Sequence, residues 1–222
     1  MLVINIMLSI SPSVQVQNIF IVPSGKKKQS NKAKRRFAVE EGDHVTLLNV
    51  HDAFVASFKS SKFCKDNFLN YKGLLRALEI RAQLSKLLRR LTGVSSFASA
   101  RNSAFGGDSE PEEVVEAVAK CLISGFFAHA AVYHHSGVYK TVRESQSLHI
   151  HPTSVLYARK PPPLLLFNEV VQTTTPMAPG EAIAGVVNEA EYSMRDVTVI
   201  KEEWLLEMAP HYYQKGTPIK LT

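Results

Sequence analysis

Val138-Tyr139-Lys140-Thr141-Val142-Arg143, then Glu144-Ser145-Gln146, then Leu148-His149-Ile150-His151 is where the chain changes its period. Two short extended runs joined by three polar residues predict a β-hairpin. Leu164 to Thr173 predicts a longer strand and Arg195 to Ile200 another. Glu202 to Met208 predicts a closing helix, anchored by Trp204 and Leu205. Several short strands following a helix fit a small β-barrel of the OB type. The expected fold class is α+β, a helical bundle first and a small barrel with flanking helices after it.

Upstream of Ser136-Gly137 the pattern is helical. Gly42-Asp43 predicts a turn handing over to a helix, with Asp43 placed to cap its first free N–H groups. Leu47, Leu48, Phe54, Val55 and Phe58 recur at helical spacing as one apolar stripe. The helical pattern continues to Leu91. Leu74, Ala77, Leu78, Leu84, Leu88 and Leu91 share one face of the last helix, and Lys72, Arg76, Lys86 and Arg90 gather opposite, at about 100° per residue. Arg81 falls inside the apolar arc, so it either pairs with a carboxylate or points into a groove shared with a partner. Ser109-Glu110-Pro111-Glu112 is a capping-box pattern opening a helix through about Tyr133. Val114, Val118, Cys121, Leu122, Gly125 and Phe126 supply its buried face, with Gly125 either allowing a close backbone approach or merely tolerated.

The domains expected are a helical one over 1–92, a Ser/Ala/Gly-rich linker over 93–110 and the barrel over 111–222. A length of 222 residues suffices for one or two small cores, and 45% hydrophobic with 21% charged residues is ordinary globular composition. The net charge of +6 favours polyanion contact. Lys26, Lys27, Lys28, Lys32, Lys34, Arg35 and Arg36 form a run without an acid, read as a solvated or phosphate-contacting surface or as a nuclear-import signal. Cys64 and Cys121 stand apart in no CxxC pattern and read as free thiols of a reducing compartment. The histidine pairs His134-His135 and His149-x-His151 lack cysteine neighbours and an HExxH pattern, so no metal is expected. Met1 to Ile10 is apolar but too short to span a bilayer and lacks the flanks of a signal peptide; no membrane partner is expected.

Five runs stand in one order: GDHVTLLNV at 42–50, CKDNFLNYKGLLRA at 64–77, GFFAHAA at 125–131, LHIHPTSVLYARKP at 148–161 and MRDVTVI at 194–200. Over roughly residues 17–213 this series resembles the C-terminal region of DEAH-box ATP-dependent RNA helicases, closest to the spliceosome-associated subgroup. The resemblance implies a partial helicase-associated, ratchet-like helical domain over 1–92 and an OB-fold after the linker. It also implies ATPase lobes and a winged-helix domain upstream, with ATP and magnesium as cofactors of such a parent protein. This chain has no phosphate loop: its GxxxxG, Gly180 to Gly185, is followed by Val186 and Val187 where Lys and Ser/Thr are needed. No Asp-Glu-Ala-His sequence occurs either, so the chain is expected to hold no cofactor and not to hydrolyse ATP alone.

The function expected is that of an accessory region gripping single-stranded RNA against motor lobes, in splicing or RNA remodelling, nuclear in location and with spliceosomal proteins as partners. The alternative is a motor-less OB-fold adaptor for RNA or protein. The RNA-binding candidates are Lys72, Arg76 and Arg81 from the helices and Lys140, His151, Thr153, Ser154 and Asn168 from the barrel. Cations would meet phosphates, and backbone and hydroxyl groups the ribose. Thr153 and Ser154 follow Pro152 and equally well close a turn; Asn168 in an apolar strand equally well caps backbone. A hydrolase on His149, His151 and Ser154 is disfavoured, because no nucleophile elbow or paired acid accompanies them.

Three stretches depart from the resemblance. Pro161-Pro162-Pro163-Leu164 stands where a tryptophan normally enters the strand. Residues 174–190 look inserted before the MRDVT run, as does Ser11 to Val16 after MLSI. Surface loops and retained non-coding sequence both account for such insertions.

Overall fold

The computed structural model describes residues 2–16, 18–93, 111–173 and 191–213. The chain divides into two compact units, Met1–Cys121 and Leu122–Thr222. The linker expected over 93–110 lies outside the described residues from 94 onward, as does the insertion expected over 174–190.

In the first unit α1 (Leu2–Gln15) packs on α3 (Asp43–Ala56) and α5 (Tyr71–Thr92), with α2 (Lys27–Lys34) and α4 (Ser61–Asp66) completing the set. Ile6, Leu8 and Ile10 bury an inward face of α1, so the apolar start of the chain is a core helix. Of Ser11 to Val16, which looked inserted, Ser11 to Gln15 form its last turns, with Pro12 inside the helix. The core joins Ile19, Phe37, Leu47, Val50, Phe54, Cys64, Leu69 and Leu74. Two edge-on aromatic pairs, Phe37 with Phe63 and Phe54 with Tyr71, sit at 6.4 and 6.1 Å. Residues 19–21 add a short strand-like bridge, with Ile21 N donating to Phe68 O and Asn70 N to Ile19 O, both at 2.8 Å.

Two expectations for α3 are corrected. Its N-cap is Gly42, at φ 117°, and no side chain caps it; Asp43 is the first helical residue and is buried. A φ in that region favours glycine, and the Gly42 carbonyl accepts from Thr46 N and, at 2.8 Å, from Thr46 Oγ1. The apolar stripe also stops early: Val55 is exposed and Phe58 is 96% exposed. α3 ends at Ala56, and Phe58 and Lys59 both turn to positive φ, which swings Phe58 off the helix face.

α5 starts where Asn70 Oδ1 accepts from Gly73 N at 2.9 Å, and ends at Gly93 in the left-handed region. Leu74 and Ala77 are buried, but Leu91 is exposed, so the expected face fades towards the C-terminus. A Cβ on Gly73 would stand 2.7 Å from Val16 Cγ1 and 2.9 Å from Asn70 Cγ. Gly73→Ala is therefore expected to destabilise by about 1–2 kcal/mol despite the better helix propensity of alanine; a urea titration followed by helical circular dichroism measures it.

α6 (Pro111–Phe126) carries the division between the units, with Val114, Val118, Ala119, Leu122 and Ile123 buried. It stops seven residues short of the expected Tyr133, because Ala130–Tyr133 is β1. Cys121 is half-buried rather than buried, and no atom lies within 4 Å of a Cβ at Gly125, so that glycine marks no close approach. Neither Cys64 nor Cys121 forms a disulfide with another described residue.

The second unit is a closed barrel in the order β1-β2-β3-β5-β4, with β2 at Tyr139–Thr141, β3 at Ser147–Ile150, β4 at Leu164–Thr173 and β5 at Glu191–Val199. Only the β3–β5 contact is parallel. Ala131, Tyr139, Leu148, Leu156, Leu165, Phe167, Met194 and Val197 fill it. Met194 and Val197 are three apart, and in an unbroken strand they would face opposite ways. Asp196, at φ 52°, turns the strand between them so that both reach the core. The three prolines before β4 suit their place: Pro162 O accepts from Tyr139 Oη and Pro163 O from Tyr133 N, while their missing N–H groups need no partner. α7 (Glu202–Met208) closes the unit with Trp204 and Leu205 buried. Among the described residues no helix is long and apolar enough to cross a membrane.

Candidate nucleic-acid interface

In the helical unit the first turns of α5 line an open cleft of about 490 Å³. Lys72 and Arg76, one turn apart, stand exposed along it, with Gln15, Val16, Asn70, Gly73 and Ile80 as the remaining wall. Gly73 is what lets Val16 approach so closely. Positive charge at the first turns of a helix adds to the dipole's own preference for an anion there. Arg81, one turn beyond Ala77, does not line the cleft. It is half-buried and its Nε donates to Ser9 Oγ at 3.0 Å. Burial lowers its pKa, and the nearby Asp52 carboxylate opposes that shift. The arginine is thereby fixed between α1 and α5.

In the barrel unit the candidates fall in two places. Lys140 is half-buried on β2, opposite Val132 and Ser147. Partial desolvation, then the charges of His135 and Lys140, hold the His134 imidazole below its ordinary range. Lys140 thus stands at the start of β3 and His151 just past its end, about 13 Å away along the strand.

The turn after β3 is closed by its own groups. His151 Nδ1 lies 2.6 Å from Thr153 Oγ1 and accepts from Thr153 N at 3.2 Å. Ser154 N donates to His151 O, and the buried Ser154 Oγ accepts from Leu156 N at 3.1 Å. Ser154 therefore serves the turn, while Thr153 stays exposed. Asn168 is half-buried in β4, and its carbonyl lies 3.1 Å from His129 Nδ1. The His129 ring in turn stacks on Phe167 at 5.0 Å.

One residue not singled out from the sequence connects these pieces. The antiparallel register of β4 and β5 sets Asn168 across from Asp196, and His151 N donates to Met194 O at 2.9 Å, which starts the turn after β3 two residues from Asp196. Asn168, Asp196 and the His151–Ser154 turn therefore share one rim of the barrel. The sign was the Arg195-Asp196 pair set between the apolar residues Met194 and Val197. Beside Asp196, Arg195 Nη1 donates to Glu169 Oε1 at 3.1 Å, and Arg195 Nε is buried without a partner. A rim holding hydroxyl, amide and carboxylate groups suits hydroxyl-rich ligands better than phosphate.

Such a barrel, preceded by helices, defines an oligonucleotide/oligosaccharide-binding fold, and residues 118–212 match the family of that description, Oligonucleotide/oligosaccharide-binding (OB)-fold. Beyond the barrel, the chain is 47% identical over 214 residues to human "Probable ATP-dependent RNA helicase DHX35", covering 96% of the chain and 26% of the relative. It is 48% identical over 210 residues to the Pongo abelii protein of that name, covering 95% and 25%. It is 39% identical over 214 residues to "Probable ATP-dependent RNA helicase DHX35 homolog" of Caenorhabditis elegans, covering 95% and 25%. In sequence the chain corresponds to the C-terminal region of a DEAH-box RNA helicase, and it spans about a quarter of the length of the curated relatives it matches.

Proposed function

We propose that this region grips single-stranded RNA for an ATP-dependent RNA helicase, forming one wall of a channel whose other wall is the pair of motor lobes. The carrying observation is the convergence of Lys72 and Arg76 on one open cleft at the start of α5. Two cations at that spacing meet successive phosphates without reading bases. The barrel rim of Thr153, Asn168 and Asp196 supplies acceptors and donors for ribose hydroxyls, which distinguish RNA from DNA. Arg81 acts as a positioning residue for α5 rather than as a phosphate ligand. Nucleotide hydrolysis, with ATP and magnesium, belongs in this reading to motor lobes outside these residues; a winged-helix domain and spliceosomal proteins are its further partners, and the nucleus its location.

The test is fluorescence anisotropy of a labelled single-stranded RNA against the chain and its Lys72→Gln/Arg76→Gln variant. Loss of two phosphate contacts is expected to weaken binding by about tenfold or more near 0.1 M salt and to flatten the salt slope by roughly 1.4. Unchanged affinity in the variant, or tight and salt-insensitive binding by the parent chain, would sink the reading.

A further inference from the structure

The basic run has a fold of its own. α2 is pinned by Ser30, whose hydroxyl donates to Ile21 O at 2.8 Å, and by buried Ala33. Two of the seven cations in the run serve that anchoring: Lys34 Nζ lies 5.1 Å from the centre of the Phe20 ring, and Arg36 Nη1 donates to Asn67 Oδ1 at 3.3 Å. With Ser30 and Ala33 inward, 100° per residue puts Lys28, Lys32 and Arg35 on the opposite face, within about 60° of one another. Arg35 keeps helical backbone angles, so the stripe continues through it. All three are exposed, and none has an ion-pair partner among the described residues. Their spacing along the axis is about 6 and about 4.5 Å.

This arrangement is unfavourable for the helix by itself. Like charges one turn apart repel. The first turn holds Lys27 and Lys28 and no acid, although the dipole favours an anion there. A row of fixed anions along α2 relieves both terms at once.

We propose that the Lys28–Lys32–Arg35 face of α2 binds the phosphate backbone of duplex RNA, a site separate from the single-strand cleft on α5. The choice of duplex follows from what the face lacks and from its rigidity. Single-strand sites pair cations with aromatic platforms on which bases stack. The outward face of α2 offers only Asn31 beside its cations, so it reads backbone alone. A straight row of cations on a fixed helix suits the regular phosphates of an A-form duplex, which proteins recognise by shape and backbone.

The experiment uses the full chain, its Lys28→Gln/Lys32→Gln/Arg35→Gln variant and the Lys72→Gln/Arg76→Gln variant. Each is titrated against a blunt 16-base-pair RNA duplex and against one of its strands alone, with circular dichroism to verify helicity. The α2 variant is expected to lose at least about thirtyfold in duplex affinity near 0.1 M salt, with its salt slope flatter by roughly 2 to 3, and to change single-strand affinity by less than about twofold. Equal losses on duplex and single strand would overturn the proposal by placing α2 on the single-strand path. So would a parent chain that does not bind duplex, or an α2 variant that binds it unchanged, which would leave the face to an acidic protein. The α5 variant separates the two readings, since its single-strand loss stands or falls independently of the α2 result.

Discussion

Phe54→Ala is expected to cost about 3–5 kcal/mol, a large part of the stability of a domain this size. Phe54 is fully buried, touches the Tyr71 ring edge-on and sits where α3, α4 and α5 meet. Removing the ring opens a cavity lined by neighbours that helices on several sides hold in place, so collapse recovers little. Phe58, four residues on, is the control. It is 96% exposed and held at φ 55°, and Phe58→Ala is expected to shift stability by less than about 0.5 kcal/mol. Denaturant midpoints read by circular dichroism at helical wavelengths measure both. Equal effects at the two positions would contradict the helix end described at Ala56.

Acidification is expected to destabilise the helical unit through His44. Burial pulls its pKa from 6.5 down to about 4. The unfolded chain binds the proton first, so the stabilising contribution is complete above about pH 6.5 and is lost as pH falls towards 4. The full effect is about 3 kcal/mol, of which about 2 kcal/mol disappears between pH 7 and pH 5. The same unfolding experiment repeated across that range detects it. His44→Gln is expected to remove most of the slope, and a parent chain of constant stability from pH 7 to 5 would refute the assignment.

Much of the architecture was legible because local pattern and tertiary need agreed. The hairpin around Glu144-Ser145-Gln146, the long strand from Leu164 and the closing helix at Glu202 each carried their own period and stop signals. Three things were not legible, for separate reasons. α3 is buried on most sides, against α1 and in the core shared with Phe37, Cys64 and Leu74, so it has no clean polar face and its end could not be read from a stripe. The run Phe126 to Tyr133 has helical character, but pairing of Ala130–Val132 with β4 and β2 overrides it. Asp43 is a good capping residue by type, yet the backbone at Gly42 takes a conformation that makes glycine the cap.

At the candidate site, helical spacing set Lys72 and Arg76 on one face with Lys86 and Arg90, and the resemblance made the first two candidates. The companion role of Asp196 was not legible, because it depends on β3 and β5 being neighbours although β4 lies between them in sequence. Likewise Ser154 looked available until the turn's own N–H groups were placed. Helix faces travel with the chain, whereas strand neighbours and turn satisfaction are set at a distance.

That same strand order bears on how the protein is made. β5 is last in the barrel's sequence but fills the gap between β3 and β4. Leu148, Leu165 and Phe167 are therefore synthesised before the strand that seals them in. At ordinary elongation rates the ribosome needs roughly two to seven seconds to pass from Leu165 to Val199. Until β5 emerges and pairs, the nascent barrel is an open sheet with two unpaired edges, at the slow, non-local end of folding topologies. Supervision by chaperones during synthesis matters most for this half of the chain, while the helices before it complete their contacts as they emerge.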